Sequence, residues 1–130
     1  MDTKSYLGAP YEHLGHQAGG CDCLGLVRWV YQEELGITLP DPGTYAEEWT
    51  SIDVIRIVRS YMRYGFYTVK SRVLPFDIIV LKSGADSRLH LGLVTSIGYF
   101  LHATSAGVIC QSYSQGAHCR NISAILRLRR

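Results

Sequence analysis

Apolar and polar positions along the chain alternate in a way that predicts two helices followed by a series of short strands. Residues 1–20 are rich in Gly, His and Tyr and follow neither a helical nor a strand period, so an extended arm or loop that packs across another part of the fold is expected there. From Cys23 onward, Leu24, Val27, Val30, Tyr31 and Leu35 recur at helical spacing, while Arg28 and Gln32 share another face at i, i+4. Gly36 supplies a stop, with Pro40 and Pro42 beyond it, so the first helix is predicted over Cys23 to Leu35.

Pro40 to Trp49, "PDPGTYAEEW", reads as a connecting loop. Thr50 or Ser51 caps a second helix whose stripe is Ile55, Val58 and Met62 and which ends at Gly65. Strand-like runs follow: "FYTV", Asp77 to Leu81, His90 to Ser96, Tyr99 to Thr104, Gly107 to Tyr113, and a last one in "ISAILRL". Ile97-Gly98 and Ser105-Ala106-Gly107 are short turns between them, which predicts an antiparallel meander. Helices first and strands afterwards make an α+β layout, with N-terminal helices packed on an antiparallel sheet of about five to six strands.

Composition narrows the class. With 130 residues, of which 47% are hydrophobic and 18% charged, the chain is expected to fold as one domain over residues 1–130 without staples. Its net charge of +2 is dispersed apart from Arg127 to Arg130, a footprint too weak for nucleic acid. "MDTKSYLGAPYEHLGH" lacks the apolar segment of a signal peptide, and no run approaches a membrane span. The expectation is a protein made in the cytoplasm that reaches any outside target by another route. Four cysteines without a signal do not read as a secreted disulfide framework.

The cysteines are the first candidates for chemistry. A zinc site is disfavoured because Cys21 and Cys23 are separated by one residue and Cys110 and Cys119 by eight, unlike the usual ligand pairs; no metal or cofactor is expected. Cys110 and Cys119 fit either small apolar packing or a disulfide. Cys23 stands at the first turn of a predicted helix, where unpaired backbone N–H groups and the helix dipole favour thiolate over thiol. Asp22 is placed to cap that helix, and Cys21 lies in the loop before it. A nucleophile needs a base and a group to orient it. His90 and His102 flank the turn at Ile97-Gly98 and are expected to be cross-strand neighbours. Tyr45 and Trp49 read as core or loop packing more than as groove lining.

Five pieces in order, "GAPY" (Gly8 to Tyr11), "DCLGLV" (Asp22 to Val27), "PFD" (Pro75 to Asp77), "HLGLV" (His90 to Val94) and "FLHA" (Phe100 to Ala103), resemble the NlpC-type cysteine peptidases. These are papain-like enzymes that cut the peptides of bacterial cell walls. The resemblance implies Cys23 as nucleophile, His90 as general base and His102 as its orienting partner, with Tyr11 and Asp22 positioning substrate or the oxyanion. It further implies an endopeptidase acting on peptidoglycan stem peptides, at the bond between γ-D-glutamyl and the diamino acid. Leu24 stands where the family pattern has Ser, and Phe76 where it has Gly; neither removes a catalytic group. "GCDCLGLVR" is similar to a subgroup encoded in tail modules of bacteriophages and gene transfer agents, which implies action in the periplasm or wall as part of a particle, with tail-tip proteins as partners. An amidase or acyltransferase on another substrate, or a non-catalytic tail subunit, would keep the same fold.

Overall fold

The computed structural model of the chain describes residues 1–70, 72–83, 88–112 and 122–130. In chain order the elements are β1 (His16–Gln17), β2 (Gly20–Cys21), α1 (Cys23–Val30) continued by a π-helical turn (Tyr31–Leu35), α2 (Ser51–Tyr64), β3 (Phe66–Thr68), β4 (Ile78–Ser83), β5 (Arg88–Ser96), β6 (Tyr99–Thr104), β7 (Gly107–Ser112) and β8 (Ile122–Leu128). The expected first helix is present over its full length, ending where Gly36 adopts the left-handed conformation at φ 64°. The expected arm contains the small hairpin β1–β2, which sequence periodicity did not reveal because each strand is two residues long.

Six strands form one antiparallel sheet in the order β3-β8-β4-β5-β6-β7. The meander holds for β4 to β7, with Ile97-Gly98 turning between Ser96 and Tyr99 as expected. It fails for the last strand, which returns to lie between β3 and β4. The reason is legible in β4 after the fact: Ile78, Ile79, Val80 and Leu81 are all buried, so this strand needs partners on both edges and cover on both faces. Asp77, just before β4, ties the two strands together, accepting from Arg127 of β8 through Nε at 2.8 Å and Nη2 at 2.7 Å.

One sheet face, with Ile78, Val80, Leu91, Leu93, Leu101 and Leu126, packs with Leu24, Val27, Val30, Ile57 and Tyr61 from the helices. The reverse face carries a smaller cluster of Ile79, Leu81, Val94 and Phe100. The arm behaves as expected of a packed segment: Tyr6 is buried, Gly8 N–H donates to Val108 and Val108 N–H to Ala9, so the arm runs along β7.

The predicted stripe of α2 is corrected. Ile55 and Met62 are exposed, and Ile57 and Tyr61 are the buried positions. Tyr61 can turn inward because its hydroxyl donates to the carbonyl of Pro40 at 3.0 Å while its ring lies 5.5 Å from that of Phe66.

Candidate active site

Cys23 is placed by the residue before it. Asp22 is 2% exposed and caps α1: Oδ1 accepts from Gly25 N–H at 2.7 Å, and Oδ2 accepts from Leu14 N–H at 2.8 Å and from the Tyr45 hydroxyl at 2.5 Å. Three donors from the helix, the arm and the 40–50 loop thus converge on one carboxylate and fix where the helix starts. The arm can approach because Gly25 has no side chain; an added Cβ would run into the carbonyl of Gly15, which accepts from Asp22 N–H at 3.2 Å.

The Cys23 sulfur lies against the backbone N–H of Leu91, the residue after His90, and against the amides of Leu24 and Cys23 itself. Those amides pull its acidity in the direction expected of a helix start. Burial outweighs them and pushes the thiol up to about 12, with the Asp22 charge adding to the rise. Desolvation, invisible in sequence, thus opposes the field of the helix end at this sulfur.

His90 and His102 do meet. His90 Nε2 is 2.8 Å from His102 Nδ1, and the two rings are nearly perpendicular with centroids 5.0 Å apart. They are diagonal rather than directly opposed. The register pairs Leu93 with Leu101, so the same count sets Gly92 across from His102 and His90 two residues further along the same face. Gly92 makes room for this: a Cβ there would come within 2.5 Å of Phe100 Cδ2, and the Phe100 ring packs on His102 at 4.8 Å. On its far side His102 Nε2 is 2.6 Å from Gln111 Oε1 of β7.

Tyr11 is brought close as well. It bridges to Cys21, and its phenol is raised first by burial and then by the negative charge of Asp22. Tyr45 bonds to Asp22 and its ring stands edge-on to His13 at 5.6 Å and to Trp49 at 5.7 Å, so these two aromatics are packed, as expected, but against the helix cap. Cys21 is fully buried, with its thiol pushed up to about 11, mainly by desolvation. Cys110 is an exposed free thiol, which corrects the packing reading for it; Cys119 and Tyr113 lie outside the described residues.

Two neighbours of these side chains were missed by sequence reasoning, His13 beside Asp22 and Tyr45, and Gln111. For Gln111 a signal existed. The turn after Thr104 pairs His102 with Ile109, which sets Gln111 on the His102 face one diagonal step away. Among the described residues no three His, Cys, Asp or Glu side chains are grouped to hold a metal ion, and no helix is long and apolar enough to cross a membrane.

The NlpC/P60 family pattern matches residues 8–127. The murein DD-endopeptidase MepS/murein LD-carboxypeptidase of Escherichia coli K12 is 30% identical over 124 residues, covering 88% of this chain and 57% of that protein. The gamma-DL-glutamyl hydrolase of Bacillus subtilis is 25% identical over 115 residues, covering 87% of this chain and 24% of that protein. The chain thus spans between a quarter and somewhat over half of the length of these relatives. In fold it is similar to the crystal structure of an NlpC/P60 family protein from Bacillus cereus, with a TM-score of 0.66 at 23% identity over 96% of this chain and 37% of that one.

Proposed function

The chain belongs to the NlpC/P60 family, and from that premise and the cluster of Cys23, His90 and His102 we propose that it is a cysteine endopeptidase cutting the stem peptides of bacterial peptidoglycan. The observation that carries this reading is the 2.8 Å contact between the two histidines, beside the Leu91 amide that touches the Cys23 sulfur. On this reading Cys23 is the nucleophile, His90 the base and His102 the orienting group.

The chemistry is acyl transfer. The Cys23 proton passes to His90, and the sulfur attacks the peptide carbonyl as the C–S bond forms. Backbone N–H groups at the start of α1 stabilise the oxyanion. His90 then gives the proton to the leaving amine as the C–N bond breaks. Water adds to the acyl-enzyme with His90 taking its proton, the carboxylic acid product leaves, and the thiol is restored. His102 orients His90; Tyr11 positions substrate or the oxyanion, and Asp22 acts through its hold on the helix start.

The bond proposed is the one between γ-D-glutamyl and the diamino acid. The name of the Bacillus subtilis relative supports a γ-glutamyl bond, whereas that of the Escherichia coli relative refers to DD-endopeptidase and LD-carboxypeptidase activities. The similarity of Gly20 to Arg28 to enzymes of phage and gene-transfer-agent tail modules supports action in the wall as part of a particle.

Mass spectrometry of soluble muropeptides incubated with the protein, and in parallel with Cys23→Ala, tests the reading. Cleavage by the wild type with at least a ~10³-fold loss in the variant is expected, and the fragment masses name the bond. Intact muropeptides with both proteins would reject the substrate, and an amidase or acyltransferase on another molecule would take its place.

A further inference from the structure

The histidine pair can share its protons in two ways, and only one of them is productive. In the first, His90 donates from Nε2 to His102 Nδ1, and the His90 Nδ1 carries a lone pair able to take the thiol proton. In the second, His102 donates from Nδ1 to His90 Nε2; a neutral His90 then holds its proton on Nδ1 and cannot act as a base there. The contact of 2.8 Å between His90 Nε2 and His102 Nδ1 is compatible with both.

The far side of His102 breaks the tie. Its Nε2 is 2.6 Å from the side-chain oxygen Oε1 of Gln111. Placed this way, Gln111 turns an amide oxygen, which only accepts, to this nitrogen, and that orientation calls for a proton on His102 Nε2. In the second arrangement the Nε2 lone pair would face the Oε1 lone pairs at that distance inside a nearly closed site, with His102 only 6% exposed. We propose that Gln111 is a positioning residue that locks His102 as the Nε2–H tautomer, thereby requires His90 to donate from Nε2, and so reserves His90 Nδ1 for the proton of Cys23. The relay runs over three strands: Gln111 on β7, His102 on β6 and His90 on β5. The strand register supports it, since Gln111 is one diagonal step from His102 on the same face, as His102 is from His90. This inference rests on the peptidase reading for its consequence, but the tautomers themselves are observable without any substrate.

The test is long-range ¹H–¹⁵N correlation spectroscopy of the histidine rings at a pH where they are neutral, assigned with single His→Gln variants, in the wild type, Gln111→Leu and Gln111→Glu. In the wild type both His90 and His102 are expected as Nε2–H. Gln111→Leu removes the acceptor and is expected to give a mixture in which His90 carries Nδ1–H. Its kcat on muropeptides should fall about tenfold, with KM changing less than about twofold, as for loss of a correctly held base. Gln111→Glu keeps an acceptor and is expected to retain the wild-type tautomers and a kcat within about threefold. An Nδ1–H signal for His102 in the wild type, or unchanged tautomers in Gln111→Leu even with reduced kcat, would overturn the proposal. If Gln111→Leu does not fold, the wild-type and Gln111→Glu spectra decide. Should the wild type leave muropeptides intact, the peptidase reading fails alone; the spectra and the rate of Cys23 alkylation by iodoacetamide in the three proteins still test the lock.

Discussion

Phe76 holds a backbone conformation that side chains other than glycine avoid, at φ 73°. This is the position at which the family pattern has Gly, and the chain keeps the left-handed turn while adding a ring. The strain is of order 1–2 kcal/mol. It is tolerated because the surroundings hold the residue on every side: its N–H donates to Val94 at 2.8 Å, its carbonyl accepts from the Tyr31 hydroxyl at 2.5 Å, and its ring stands edge-on to Tyr31 at 6.1 Å. Replacing the ring by Ala keeps the strain and loses the packing, whereas Gly loses the packing and relieves the strain. Phe76→Ala is therefore expected to be the less stable variant, by about 1 kcal/mol relative to Phe76→Gly, measured as the difference in unfolding free energy in urea. Equal stabilities would show that the turn is not strained. The sequence exposed the unusual residue, but a single side-chain identity does not say whether the turn that glycine serves has been kept; only the backbone angle does.

At the level of elements, what was legible is what depends on neighbours in the chain. The second helix starts where a cap was expected: Thr50 Oγ1 accepts from Asp53 N–H and Asp53 Oδ2 accepts from Thr50 N–H, each at 3.1 Å. Thr50→Ala is expected to lower stability by about 1 kcal/mol and to speed amide exchange in the first turn of α2 more than in its last. Uniform exchange along the helix would show that the cap is not what holds that end. The inward face of the same helix was misread because two apolar stripes overlap on it, and the choice between them is made by distant groups, the Pro40 carbonyl and the Phe66 ring. The place of β8 was not legible for the same reason. Its pairing with β3 and β4 joins residues some fifty positions apart, such as Ile78 with Leu126, and no local pattern encodes that adjacency. The histidine pair was readable because a two-residue turn sets the register of everything near it. Gln111 follows from the next turn by the same reasoning, but polar strand residues are usually read as solvent-facing.

Across the whole molecule, burial raises a set of acids together. The thiols of Cys21 and Cys23 are pushed up to about 11 and about 12, and the phenols of Tyr6, Tyr31, Tyr45 and Tyr61 also rise, with desolvation the leading cause in each. A folded chain that keeps these protons longer than the unfolded chain is fully stabilised by them only while both states are protonated. As pH rises past the ordinary thiol value of 9.0, the unfolded state loses protons first, so the unfolding free energy falls and continues to fall until the folded values are reached. Cys21 by itself accounts for on the order of 2–3 kcal/mol between pH ~9 and ~11. Urea unfolding at pH 7, 9, 10 and 11 is expected to show this decline, and Cys21→Ala to show a shallower one; parallel declines in the two proteins would mean that the Cys21 thiol is not held protonated by the fold. The comparison also separates the two cysteines that stand one residue apart. Cys21 has no exposed surface, whereas Cys23 keeps some beside the histidine strand, so in the folded protein iodoacetamide should label the exposed Cys110 and then Cys23, and reach Cys21 only on unfolding.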